Sequence, residues 1–283
     1  MFIGMFLMSL TFSLFLIDAF NIASHSKTYS MDSLTKLYPF ESIYPDTHEL
    51  FAFVDIDENS LKEQGQWPWP RSLTASLVNK TIESGAVAIA LDILFAEPDR
   101  FSPENIEKYL GHKIKPNKIN DGDALLGELG RNNPVVHSFA ISKVRDASND
   151  IDIGSRFITI GDVNQFLPIS GGLITPTKKL DKAQGYGFIN TDVNEGMIRK
   201  TPLILEAQGS IYPALALDTL RVAQGASNHI LKLGVNLDRL AIKTGEVSSA
   251  VDLHGSLLLH MGHTNRFQRV SATDVLLNKA SLD

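Results

Sequence analysis

Two apolar runs separated by a helix-length amphipathic stretch set the pattern of this chain. Phe51-Ala-Phe-Val54 and Ala86-Val-Ala-Ile-Ala-Leu91 both run into carboxylates, and between them Leu73, Leu77, Val78 and Ile82 fall on one helical face. Strand, helix and strand in this order predict a βαβ unit. A right-handed crossover would lay the two strands parallel, so that Asp55 and Asp57 emerge at the same sheet edge as Asp92.

The connection between the runs is legible residue by residue. Ser60-Leu-Lys-Glu63 has the form of a capping box, and Gly65 can stop the turn that follows. Trp67, Pro68, Trp69 and Pro70 come next. Two prolines fix φ and offer no backbone donor, so this segment is expected to be a rigid buried corner rather than a helix or strand. Ser72 is a suitable N-cap for the amphipathic helix, and Gly85 sits where its C-terminal cap belongs.

Beyond residue 100 the signals weaken and then change character. Residues 101–122 hold no periodicity and read as a surface insertion. A short helix over 124–129 leads into the strand 134–141, residues 143–154 form a charged excursion, and 168–177 an open loop. Residues 185–190 and 200–205 are short β runs around the turn 192–196, which predicts a hairpin. A helix over 213–222 would start on Pro213. Strands over 231–233, 240–244 and 257–260 close the pattern. The expected fold class is α/β, a mixed sheet with a parallel βαβ core and later antiparallel hairpins, preceded by one transmembrane helix.

That helix is read from residues 1–17, apolar apart from Gly4, Ser9, Thr11 and Ser13, with Asp18 as the first charge. Extended to Ala23 the stretch reaches the ~20 residues that span a bilayer. An uncleaved anchor over 1–23 fits better than a cleaved signal peptide, because no Lys or Arg precedes Lys27. Residues 24–49, with Leu34, Leu37 and Phe40 at helical spacing, would carry the chain as a membrane-proximal helix and linker to the main domain, 50–283. The absence of cysteine removes disulfides and thiolate chemistry. A net charge of −6 without a basic stripe excludes a nucleic-acid partner.

Several strings, taken in order, carry a resemblance. They are Val54-Asp-Ile-Asp-Glu-Asn-Ser60-Leu, Gly65-Gln-Trp-Pro-Trp-Pro-Arg71 and Leu91-Asp-Ile-Leu-Phe-Ala-Glu-Pro-Asp99. Gly187-Phe-Ile-Asn190, Tyr212-Pro-Ala-Leu-Ala216 and Gly255-Ser-Leu-Leu-Leu-His260 continue them. Together they resemble the CHASE domain, type two, over about residues 30–280. That family comprises extracellular sensor modules at the front of bacterial adenylate and diguanylate cyclases, histidine kinases and Ser/Thr kinases. The resemblance implies an inner-membrane protein with its main domain in the periplasm, a sensor with no chemistry or cofactor of its own. It also implies a closing strand, transmembrane helices and a catalytic output beyond Asp283. The chain is then a fragment of a longer receptor, or a short protein without an output half.

The candidate ligand-binding residues are Asp55, Asp57, Arg71, Asp92, Asp99 and Arg199. Clustered carboxylates repel one another unless neutralised, so the rim would take a small ligand or a divalent cation. The bland reading is that Arg71 pairs with one Asp and the others cap turns. Arg199 is expected to pair with Asp192 or reach the rim, and dimerisation through the anchor is a plausible partner interaction. One alternative is a periplasmic metal-dependent phosphatase using Asp55 and Asp57, and another is a protein-interaction module without a small ligand. Asp192-x-Asn194-x-Gly196 lacks the spacing of a Ca²⁺ loop, and His254, His260 and His263 read as surface histidines.

Overall fold

The computed structural model describes residues 50–114, 119–142, 151–154, 156–191, 198–234, 238–259 and 267–280, together with Ser13, Ser30, Ser33, Leu34 and Leu37. The chain divides into two units. Residues 1–51 and 260–268 form one, and Ala52–Leu259 with Arg269–Asp283 form the other. In the first unit Ser13, Ser30, Ser33, Leu34 and Leu37 are helical, and Phe51 packs edge to face on Phe267 at 6.4 Å. Among the described residues no helix is long and apolar enough to cross a membrane. The rest of the expected anchor over 1–23, like Phe40, lies outside the described residues.

The second unit is mixed α/β, with parallel and antiparallel pairing. Strand β1 (Ala52–Asp55) is followed by α1 (Glu58–Gln64), α2 (Arg71–Glu83) and β2 (Ile89–Leu91). Helices α3 (Pro103–Leu110) and α4 (Gly122–Asn132) then lead to β3 (Val135–Ser142). The later part holds β4 (Phe157–Ile160), β5 (Ile169–Ser170), β6 (Gly172–Ile174), β7 (Gly185–Phe188), β8 (Lys200–Pro202), β9 (Ile204–Ala207) and β10 (Ser210–Pro213). Helix α5 (Leu215–Ala223), β11 (His229–Leu233), β12 (Leu240–Thr244), β13 (Val247–Val251), β14 (Ser256–Leu258), β15 (Gln268–Ser271) and α6 (Ala272–Leu276) complete it.

Strand β3 is the centre. It runs parallel to β2 with Ile89 opposite Val135, parallel to β7 with Val136 opposite Gly185, and antiparallel to β6 with Ala140 opposite Ile174. The Asn190 amide extends the β7 side, accepting from Ile141 N at 2.6 Å and donating to Ile141 O at 2.8 Å. On one face α2 and α4 pack against the sheet, burying Ala75, Val78, Leu91, Leu126 and Val135. On the other face lies α5, which can come close because β7 carries glycine: a Cβ on Gly185 would stand 2.4 Å from Asp218 Oδ2.

The expected adjacency of β1 and β2 is not found. Strand β1 pairs with β15, while β2 pairs with β3. Ala52 and Phe53 are exposed, which a buried parallel strand would not tolerate, and a short apolar run does not reveal how deep it will lie. The expected hairpin is also corrected. β7 joins β3, whereas β8 pairs with β14 and β9 with β10. Pro213 ends β10 rather than opening the helix, which starts at Leu215. The insertion over 101–122 contains α3, whose N-cap Ser102 accepts from Asn105 N and whose C-terminal Gly111 is left-handed. Residues 168–177 contain β5 and β6 instead of an open loop. The expected strands over 231–233 and 240–244 are found as β11 and β12, paired antiparallel, while the third, over 257–260, corresponds to β14 and pairs with β8. The ladder is completed by β13, which the sequence reading did not anticipate, and by β4 in parallel at its edge.

Two buried polar groups of opposite kind lie in the core. Asp218 accepts from Arg221 Nε at 2.6 Å and from Tyr186 N at 2.8 Å, and His229 joins it to Thr244. Arg221 also donates to the carbonyls of Gln184 and Ala226. This network is satisfied and joins α5 to β7, β11 and β12. His137 in β3 is wholly buried between Phe95, Tyr186 and Gly130, and neither ring nitrogen has a hydrogen-bond partner among the described residues. Burial alone pushes its pKa down from 6.5 to about 4.

The unfolded chain therefore binds a proton at His137 near pH 6.5 that the folded chain refuses until about 4. Stability from this residue is complete above pH 6.5 and is lost as the pH falls through that window, on the order of 3 kcal/mol in all. Urea unfolding at pH 7 and 4.5 is expected to show that slope in the wild type and to lose it in His137→Leu; equal slopes would exclude His137 as its source. A second expectation concerns the α2–α4 contact, where a Cβ on Gly122 would stand 2.4 Å from Ser72 N. Gly122→Ala, despite its better helix propensity, should lower the unfolding free energy by about 1–3 kcal/mol. A gain in stability would show that this contact relaxes.

Candidate functional site

A cleft of about 830 Å³ opens over the connection that the apolar pattern brackets. Ile56 and Leu61 come from the β1–α1 corner, Trp67, Pro68 and Trp69 from the aromatic segment, Arg71 from the start of α2, and residues 92–100 from the loop after β2. The two tryptophans differ. Trp69 is 2% exposed and its indole N–H donates to Gly65 O at 2.8 Å, whereas Trp67 is 37% exposed and leans edge to face on Trp69 at 5.9 Å. The corner is thus buried on one ring only, and the other ring is presented to the cleft.

Arg71 is held from four directions. Its backbone N–H donates to Asp99 Oδ2 at 2.9 Å, and its Nη2 donates to Glu97 O at 3.3 Å. Its Nε stands 3.4 Å from Asp123 Oδ1, and its guanidinium lies 4.0 Å over the Phe95 ring. Asp99 caps the first turn of α2 that Pro70 cannot cap, and its other oxygen accepts from Phe101 N at 3.0 Å. Asp99 N donates in turn to Asp123 Oδ2 at 2.7 Å. Burial raises the Asp123 carboxyl above its ordinary range, against the Asp99 N–H and the Arg71 charge that favour the anion. Burial likewise lowers Arg71, opposed by the charges of Asp123 and Asp99. Arginine nonetheless stays cationic at neutral pH.

The expected rim is divided. Asp92 and Asp99 line the cleft with Arg71; Asp92 is exposed at the end of β2, and Asp99 is buried. Asp55 points elsewhere, in an exposed ion pair with Arg269 at 2.8 Å. Asp57 is the N-cap of α1, accepting from Ser60 N and Ser271 Oγ, and these hydrogen bonds hold its carboxyl below the usual range. Ser60 is accordingly not the cap of a capping box. It sits inside the first turn, buried, accepting from Thr273 N. Arg199 is not among the residues lining the cleft; it precedes β8, where its carbonyl accepts from Leu259 N.

Both carboxylates of the phosphatase reading therefore have other partners, Arg269 for Asp55 and the Ser60 N–H with the Ser271 hydroxyl for Asp57. Among the described residues no three His, Asp or Glu side chains gather as a metal site. His254 lies at the surface beside Phe166 O, while Asp192, Asn194, Gly196, His260 and His263 fall outside the described residues. Sequence reasoning passed over Asp123. Its signal was present in Asp121-Gly-Asp123, two acids around a small residue at a helix start.

The family model of the CHASE2 domain matches residues 5–282. The chain belongs to the CHASE2 family. CHASE2 domains are extracellular sensory domains rather than catalytic ones, and the match starts nearer the N-terminus than the residues that first suggested it. No curated protein and no solved structure matches the chain.

The geometry of this CHASE2 domain separates its acids by role. Asp99→Ala strips partners from two backbone N–H groups and should cost about 2 kcal/mol or more, whereas Asp92→Ala should stay within about 0.5 kcal/mol. Chemical denaturation of both variants checks this, and similar losses at the two positions would contradict the division.

Proposed function

We propose that this chain is the periplasmic sensory part of a bacterial inner-membrane receptor, of the kind coupled to cyclase or kinase outputs. The cleft beside Trp67 is its ligand site. Residues 1–23 serve as the anchor, 24–49 as the connection, and 50–283 as the sensor domain. One observation carries the reading. The loop 92–100 forms the cleft wall and also clamps α2 and α4 through Asp99. A small molecule seated against Trp67 and that wall has direct purchase on two helices of the core. Signalling requires that it bind one arrangement of this clamp more tightly than another.

The aromatic surface with two arginines, Arg71 and Arg100, and nearby acids suits a small organic molecule that is partly apolar. Trp67 offers a π face, Ile56 and Ile93 offer apolar contact, and Asp92 offers an accessible carboxylate. The phosphatase reading loses its chemistry because Asp55 and Asp57 are bound elsewhere.

The test is thermal unfolding of the 283-residue chain in detergent against a library of metabolites and divalent cations. A ligand at ~100 times its Kd stabilises the folded state by about 2.7 kcal/mol. The expected hit loses its effect in Trp67→Ala and keeps it in Asp55→Asn. A hit that survives Trp67→Ala would move the site away from the cleft, and a library without any hit would count against small-molecule sensing.

A further inference from the structure

The ladder β13–β12–β11–β4 ends on β4, Phe157-Ile-Thr-Ile160, a strand with no charge and no proline. Native sheet edges are ordinarily protected by a lysine, a proline or a bulge, and β4 has none of these. Beyond Phe157, which stacks on His229, its side chains are exposed as well. Ile158 is 51% and Ile160 49% exposed, on the same face as Ile230, which pairs with Ile158. Among the described residues no strand pairs with the outer side of β4.

The direction of the free backbone groups follows from the pairing. His229 N donates to Arg156 O, and His229 stands opposite Phe157. In a parallel ladder that pattern turns Arg156, Ile158 and Ile160 toward β11 and leaves the N–H and C=O of Phe157 and Thr159 pointing outward. Gly161, with φ of +89°, ends the strand. The flanks carry opposite charges, exposed Arg156 before the strand and exposed Asp162 after it.

We infer that β4 is a dimerisation edge whose occupant is β4 of a second copy, antiparallel about a two-fold axis at Thr159. Antiparallel pairing sets Thr159 opposite Thr159 and Ile158 opposite Ile160 of the second copy. It also brings Arg156 to the end where the second copy's Asp162 lies. Parallel pairing would instead set Arg156 on Arg156, so the charges select the two-fold arrangement. The result is one continuous sheet of eight strands across two copies, with the four exposed isoleucines of the two edges side by side.

The absence of cysteine gives a direct test. Residues facing each other in a hydrogen-bonded antiparallel pair have Cα atoms about 5.5 Å apart, within disulfide range. Thr159→Cys in the full chain, held in membranes and oxidised, is expected to form a covalent homodimer. Ser248→Cys, exposed on β13 at the opposite edge, is expected to stay monomeric under the same conditions. Without cysteines, Arg156→Glu should shift analytical ultracentrifugation toward monomer, and the double variant Arg156→Glu with Asp162→Arg should restore the dimer. Equal crosslinking at 159 and 248 would overturn the proposal. So would no crosslink at 159, a crosslink only to a different protein, or failure of the charge swap to restore association.

Discussion

The cleft depends on a guanidinium and two carboxylates taken largely out of water. Arg71, Asp99 and Asp123 occupy a junction where the first turn of α2, the first turn of α4 and the loop after β2 would otherwise present unpaired polar groups to one another. Asp99 supplies the cap that Pro70 cannot provide, Asp123 receives the backbone N–H of Asp99, and the Arg71 guanidinium sits over the Phe95 ring at 4.0 Å. Removing any one partner would leave another buried without compensation, which is costlier than never having built the group. This mutual dependence fixes the path of residues 92–100 and thereby the shape of the cleft wall.

A second constraint is spatial. Gly122 lets α4 touch the backbone of α2, and Gly185 lets α5 approach β7 until Asp218 can bond Tyr186 N. Helices on both faces of β3 are thus brought nearer than side chains would permit, and the Asp218–Arg221 network is satisfied at that distance. His137, by contrast, lies between aromatic rings with no partner among the described residues and stays neutral there. The core therefore holds one polar network that binds elements together and one histidine that tolerates burial only while uncharged.

The proposed function rests on where the clamp is placed. The same loop that caps α2 forms a wall of an open cleft carrying a half-exposed tryptophan, so the proposed ligand surface and the structural support share residues. Membership of a sensory family gives this arrangement its meaning, since a sensor needs a ligand surface coupled to elements whose packing can change.

The local features of the site were legible in the amino-acid sequence because they rest on short-range stereochemistry. Two prolines around a tryptophan, a glycine after an amphipathic helix and apolar runs ending in acids are decided within a few residues. The strands expected over 134–141, 231–233 and 240–244, found at Val135–Ser142, His229–Leu233 and Leu240–Thr244, and the mixed α/β character followed in the same way. What the tertiary structure alone decided was pairing. β1 chose β15, more than 200 residues away, over β2, and this sent Asp55 to Arg269 and Asp57 to the cap of α1, leaving Asp92 and Asp99 to the cleft. Strand partnership depends on which faces end up buried, and a run of four apolar residues carries no information about its depth. Asp123 entered the site for the same reason, since only the folding of α4 against α2 places it beside Arg71.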